Sequence, residues 1–274
     1  MIYNYSEKAI KDSLNVLKIE NHRMREAYVH KLLDYYNGNN TKYYIESRFD
    51  LDAFREVPPY EANITKKFIN KMSRIYTVGA DRNVSKKYDN LSVLKDAKMK
   101  HIERMTRLVG SIATRVMFVD GEMPHFDYQP IYYFHPFFGA DPFKPIAISY
   151  PLMHYTEDAS NSDSCQYIHW NAESYIIFDE SGKVLEEAEH GYGTLPFVFT
   201  HREHQSDSFY VEGANDICNA NEHINITMTE LQLGLRFQMF GQPVVSGADL
   251  GNNQRFGSDV ILELTEGANY NILS

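Results

Sequence analysis

Apolar residues recur every three to four positions through the first 110 residues, the spacing of one buried helix face. Ala9, Ile10, Leu14 and Leu17 follow it over Ser6–Leu17. Met24, Ala27, Tyr28, Leu32 and Tyr35, with the stem of Lys31, carry it through a second segment that stops at Asn37-Gly38. Pro58-Pro59 closes a polar connection. Beyond it, Ile64, Phe68, Met72, Ile75 and Tyr76 predict an apolar packing stripe on a third helix ending near Gly79. A fourth helix is expected from about Leu91 to Val109, with Leu94, Ile102, Met105 and Leu108 turned inward.

From Gly110 the period changes. Short runs of β-branched and aromatic residues, separated by Gly, Pro and Asp, predict an antiparallel sheet region. The runs are Ile112–Val119, Ile131–Phe134, Ile146–Met153, Cys165–Trp170, Tyr175–Phe178, Val184–Ala188 and Phe197–Thr200. Asp179-Glu180-Ser181-Gly182 reads as a hairpin turn, because glycine accepts the positive φ that such turns need. Residues 158–164 read as an exposed loop.

The helix predicted over Asn215–Phe240, stopped by Gly241-Gln242-Pro243, is the most informative element. At about 100° per residue, Ala220, Ile224, Met228, Leu231, Leu235 and Met239 lie within about 60° of Ile217. Ile226, Leu233, Phe237 and Phe240 fall on the opposite side. One polar flank holds Asn225, Thr229 and Arg236, and the other holds His223, Thr227 and Glu230. A helix with two apolar faces is either sandwiched inside a domain or wedged between neighbours in an assembly. The rest of the chain is expected to cover the Ile217, Ile224 and Leu231 face only over its first turns, so that the remainder needs a partner and one apolar stripe stays exposed in an isolated chain. Leu233 and Phe237 would then be the residues whose replacement by Asp blocks assembly. After Gly241 come a short strand and turn, Val244-Val245-Ser246-Gly247, and an alternation with Val260, Leu262 and Leu264 on one side. Together they predict a small β element that the chain end at Ser274 leaves incomplete, as at a fragment boundary.

Composition narrows the function classes. Of 274 residues, 43% are hydrophobic and 23% charged, which fits a globular chain rather than a disordered one. No apolar run reaches membrane-spanning length, and the first residues lack a signal-peptide pattern, so a soluble, non-secreted protein is expected. Two cysteines, Cys165 and Cys218, are too few for a disulfide framework and fit a reducing compartment. With 27 basic and 37 acidic residues the formal charge is −10, which opposes tight binding of nucleic acid by the whole surface. The 20 tyrosines and 16 phenylalanines supply large contact areas for cores and interfaces, which leans toward an assembly component.

The sequence lacks the motifs of common catalysis. There is no Gly-rich phosphate-binding motif of either common type and no G-x-S-x-G nucleophile elbow. His201-Arg202-Glu203-His204 has an H-x-x-H spacing where helical metal sites use i and i+4 with a carboxylate, so it reads as a polar loop. Histidines 125, 135, 154 and 169 fall in the strand region, where a hydrogen-bonded structural role is the usual one. No catalytic residue, cofactor or metal is assigned, and the chain is not read as an enzyme.

Four stretches in order carry a resemblance: Gly193-Thr194-Leu195-Pro196-Phe197-Val198-Phe199, then Glu212-Gly213-Ala214-Asn215-Asp216-Ile217, then the helix through Asn221-Glu222 and Leu235-Arg236-Phe237, then Gly241-Gln242-Pro243-Val244-Val245-Ser246-Gly247. This order resembles the portal proteins of tailed bacteriophages, in which a G-x-L-P strand leads through a Gly- and Asp-containing turn into a stem helix. Tyr35-Tyr36-Asn37-Gly38, the helix from Asn63 to Tyr76 and a strand region with Trp170 agree in order as well.

The resemblance implies an α+β fold, with residues 1–210 as a wing-like domain, 211–241 as the stem helix and 242–274 as the start of a clip. It implies subunit contacts through Ile217, Ile224, Ile226, Met228, Leu231, Leu233, Leu235, Phe237 and Phe240. One of the two polar flanks would face a channel. The implied function is a homo-oligomeric ring, usually of twelve subunits, at the capsid vertex of a virion assembled in the host cytoplasm. DNA would be packaged and ejected through it without tight binding. Terminase, capsid and head-completion or tail proteins would dock on it, with no membrane partner. The tunnel loop would lie beyond Ser274. Two other readings are another virion ring adaptor and a soluble hydrolase using acidic residues.

Overall fold

A computed structural model describes residues 5–17, 20–39, 41–49, 58–78, 83, 85–86, 91, 95–122, 124–152, 166–205, 207–240, 242–246 and 269–273. Expectations at Gly79, Leu94, Met153, His154, residues 158–164, Cys165, Gly241, Gly247 and the 260–265 alternation lie outside them. The chain divides into two compact units, Met1–Gly38 with Ile64–Cys218, and Asn39–Asn63 with Asn219–Ser274. The division falls inside the Asn215–Phe240 helix.

The first unit is α+β, as expected. Its helices are α1 (Tyr5–Leu17), α2 (Glu20–Asn37), α4 (Ile64–Met72) and α5 (Lys95–Val109). Its strands are β1 (Ser111–Val119), β2 (His125–Ile131), β3 (His135–Phe138), β4 (Pro145–Leu152), β5 (Gln166–Trp170), β6 (Ser174–Asp179), β7 (Val184–Glu189) and β8 (Phe197–His201). All pairings are antiparallel, in a three-stranded sheet of order β2-β1-β8 and a five-stranded sheet of order β3-β4-β5-β6-β7. The strand expected at Ile131–Phe134 is corrected: Ile131 ends β2, and residues 132–134 bend toward β3. β2 was hidden because it mixes polar residues with Pro130, which an edge strand tolerates since one side of its backbone needs no ladder partner.

Register places the core. Ile148 lies opposite Trp170, and Tyr150 opposite Ile168. Those side chains pack with Ala113, Phe134, Phe197 and Phe209 against the three-stranded sheet. The alternate residues face α1, whose Ile10 packs on Ile176 and Phe178. The central strands of the five-stranded sheet are thus covered on both faces. A buried polar chain fixes α1 there: Ser13 Oγ donates to the Ala9 carbonyl at 2.7 Å, lies 2.7 Å from Ser149 Oγ, and Ser149 Oγ lies 2.8 Å from His169 Nδ1.

Three helix expectations need correction. In α2 the buried residues are Val29, Leu32, Tyr35 and Tyr36, while Met24 and Ala27 are exposed. The third helix ends at Met72 and buries Thr65 and Ile69, leaving Phe68 and Met72 exposed, together with Ile75 in the turn that follows. The fourth begins at Lys95, although Ile102, Met105 and Leu108 are buried as expected.

The second unit contains α3 (Thr41–Glu46), most of α6 (Asn215–Phe240), and β9 (Gln242–Ser246) paired with β10 (Asn269–Leu273). The strand that pairs with β9 lies at the last described residues, which the sequence reading had not assigned to a strand.

Candidate assembly surface

The approach to α6 is fixed by a backbone crossing in the first unit. Residues 211–214 run so close over the end of α5 that a Cβ on Gly213 would lie 2.4 Å from the Leu108 carbonyl oxygen. A Cβ on Gly110, whose φ is +93°, would lie 2.1 Å from the Val211 oxygen. Both positions therefore require glycine. The crossing lets Ala214 N donate to the Leu108 carbonyl at 2.8 Å and Val211 N donate to Ser111 Oγ at 2.8 Å. Arg202 Nη1 donates to the Gly213 carbonyl at 3.0 Å. The Arg25 guanidinium stacks 3.5 Å from the centre of the Tyr210 ring, and the Tyr210 hydroxyl donates to the Phe134 carbonyl. Burial holds the Arg25 guanidinium below its ordinary pKa and pushes the Tyr210 phenol up. α6 thus starts from a closely packed, hydrogen-bonded segment, and Cys218 N donates to the Ala214 carbonyl in its first turn.

In the second unit the helix buries polar side chains. Asn221, Glu222, Asn225 and Thr229 are all buried. Asn225 Oδ1 accepts from Ala62 N at 2.9 Å while its Nδ2 donates to the Ala62 carbonyl at 3.4 Å. Thr229 Oγ1 accepts from Tyr60 N at 2.9 Å, and Glu222 accepts from Arg48 Nη2 at 3.2 Å. Residues 58–63 belong to no helix or strand, so their backbone groups need partners from elsewhere. Asn225 and Thr229 supply them. Of the two polar flanks, the one with Asn225 and Thr229 is therefore turned into the protein. Arg236, on the same flank, is half-buried, while His223, Thr227 and Glu230 are exposed.

Taking Thr229 as zero, Ile224, Leu231 and Leu235 sit about 120–160° away around the helix. All three are exposed, at 42%, 51% and 50%. Ile226 and Leu233 lie beside the buried polar line and are half-buried, as are Ile217 and Met228. The side chains of Phe237 and Phe240 lie outside the described residues. Past its first turns the Ile217, Ile224 and Leu231 stripe is thus the more open one, and Leu233, expected at the assembly contact, lies on a more covered side.

Elsewhere, the Ser149–His169 contact is sealed from solvent and has no opening for a substrate. A cavity of about 680 Å³ beside α1 and the β6–β7 turn is lined by Ile10, Leu14, Glu7, Lys11, Glu180 and Glu187 among others. Among the described residues, no three His, Cys, Asp or Glu side chains are grouped to hold a metal ion. Cys218 is buried, and its Sγ accepts from Thr65 Oγ1 at 3.9 Å. No described helix is long and apolar enough to cross a membrane. No protein-family model matches the sequence, and no curated protein matches it.

Proposed function

We propose that this chain is a structural subunit of a portal-like ring, through which viral DNA is packaged and ejected. The observation that carries the reading is the inverted burial of α6: polar residues face inward, and Ile224, Leu231 and Leu235 face outward. An exposed aliphatic row along a helix is an apolar surface, and larger surfaces of this kind mark association sites. Under this reading residues 211–241 form the stem, residues 1–210 a wing, and residues 242–274 the entry to a clip. Neighbouring stems cover the row, and the ring serves as the platform for terminase and for head-completion or tail proteins in the virion. The exposed His223, Thr227 and Glu230 are the polar residues available to a channel wall. The resemblance in motif order supports the same reading.

Electron microscopy of the purified protein tests it. Rings with a central hole are expected for the wild type. Leu231→Asp or Leu235→Asp should abolish them, because an unpaired charge in a desolvated interface costs several kcal/mol. Particles without a hole, or rings unaffected by both substitutions, would remove the support.

A further inference from the structure

A second exposed apolar surface lies on the first unit, and its chemistry differs from the α6 row. From Ile64 to Val78 the chain carries Lys66, Lys67, Lys71 and Arg74 and no carboxylate, in a protein of net charge −10. Lys67, Phe68, Lys71 and Met72 are exposed on α4, followed by exposed Arg74 and Ile75. The helix rests on the side where Thr65 and Ile69 are buried; at about 100° per residue Lys67 and Lys71 lie opposite that side, and the exposed Phe68 and Met72 lie on its margin. Its open side is therefore both greasy and cationic.

The complement is on the same unit. Among the described residues β7 is the outer strand of the five-stranded sheet, paired to β6 alone. Val184 and Leu185 are exposed on it, and Glu186, Glu187 and Glu189 are exposed beside them. Residues 179–189 hold five carboxylates and one lysine. An edge strand with charged side chains resists pairing with another strand, which leaves its side chains to meet a differently shaped partner. α4 supplies one, with cations for the carboxylates and Phe68 and Met72 for Val184 and Leu185.

We propose that the α4 surface of one subunit docks on the β7 edge of a second copy of this chain. The inference deepens the ring reading and rests on it for the closed form of the assembly. Because the two patches differ, the contact is head-to-tail, the type that closes into a ring or runs on as a filament. A second copy is favoured over a polyanion, such as duplex DNA or an anionic membrane, because the net charge of −10 repels polyanions at long range. The required carboxylates are already present on every copy.

Charge reversal in the full chain tests this. Two variants are made, Lys67→Glu with Lys71→Glu, and Glu187→Lys with Glu189→Lys. Their association is measured by sedimentation velocity at several salt concentrations, with near-ultraviolet circular dichroism to confirm the fold. Each variant alone should associate at least about tenfold more weakly than wild type, since like charges then face each other. An equimolar mixture of the two should regain association, because each interface again joins opposite charges, and the regained association should weaken with salt. Unchanged association of either variant, or a mixture that regains nothing, overturns the proposal. So does binding of duplex DNA or phosphatidylserine vesicles that α4 reversal removes while self-association persists. Imaging separates this proposal from the ring reading. Rings that persist with α4 reversed defeat the docking and leave the ring reading standing, whereas charge-swap-dependent filaments without a central hole do the opposite.

Discussion

His169 is fully enclosed between the five-stranded sheet and α1, with Ser149 and Ser13 as its polar neighbours. One donor order satisfies every contact. Nδ1–H donates to Ser149, Ser149 donates to Ser13, and Ser13 donates to the Ala9 carbonyl. Burial lowers its pKa from 6.5 to about 4 and so keeps the imidazole neutral, with the Asp12 carboxylate pulling the other way. The unfolded chain takes up a proton as pH falls through 6.5, whereas the folded protein resists until about 4. Stability should therefore decline between those values and be unaffected by this group above them. Urea denaturation at pH 7 and pH 4.5 should show wild type losing about 2–3 kcal/mol more than His169→Gln over that interval. Equal losses in the two proteins would show that His169 is charged in the fold.

α6 shows what a single element can and cannot disclose. Its limits, set by Asn215 and Gly241-Gln242-Pro243, were legible because capping and helix-breaking residues act locally. The strands from β4 to β8 were legible for a similar reason: period-two alternation and a glycine-bearing turn are local signals. Which face of a helix is buried is not local. Asn225 and Thr229 are interior because residues 60 and 62, about 165 positions earlier, present unpaired backbone groups to them. No periodicity in α6 encodes that. α4 was misread in the same way, since Thr65 and Ile69 are buried where the apolar count favoured Phe68 and Met72. The site residues were thus legible as a list and not as a surface. Asn225→Ala should strand the backbone groups of Ala62 and Thr229→Val that of Tyr60, each destabilising the protein by about 1–3 kcal/mol. Hydrogen exchange at the amides of Tyr60 and Ala62 should accelerate in the corresponding variant. Unchanged exchange in both would mean that the extended segment holds itself without the helix.

At the scale of the whole molecule, charge decides what a ring of such chains could do with DNA. A protein that grips a duplex gains affinity by releasing counterions, and each phosphate contact adds to the salt dependence. This chain has 37 acidic residues against 27 basic ones, and its densest cationic run, Lys66 to Arg74, contains exposed Phe68 and Met72 within it. If that run is occupied by the β7 edge of a neighbour, assembly removes the main cationic surface just as a central passage forms. A duplex inside then meets a wall that repels it, which suits sliding and opposes stalling. Fluorescence anisotropy with labelled duplex DNA at physiological salt should accordingly give a Kd weaker than ~10⁻⁴ M, the weak end of non-specific binding. Lowering the salt should raise affinity little in the assembled wild type. It should raise it more when the β7 carboxylates are reversed by Glu187→Lys with Glu189→Lys, because the neighbour no longer covers Lys67 and Lys71 and two new cations are added. A tight complex with a steep salt slope in the wild type would make the assembly a clasp rather than a conduit.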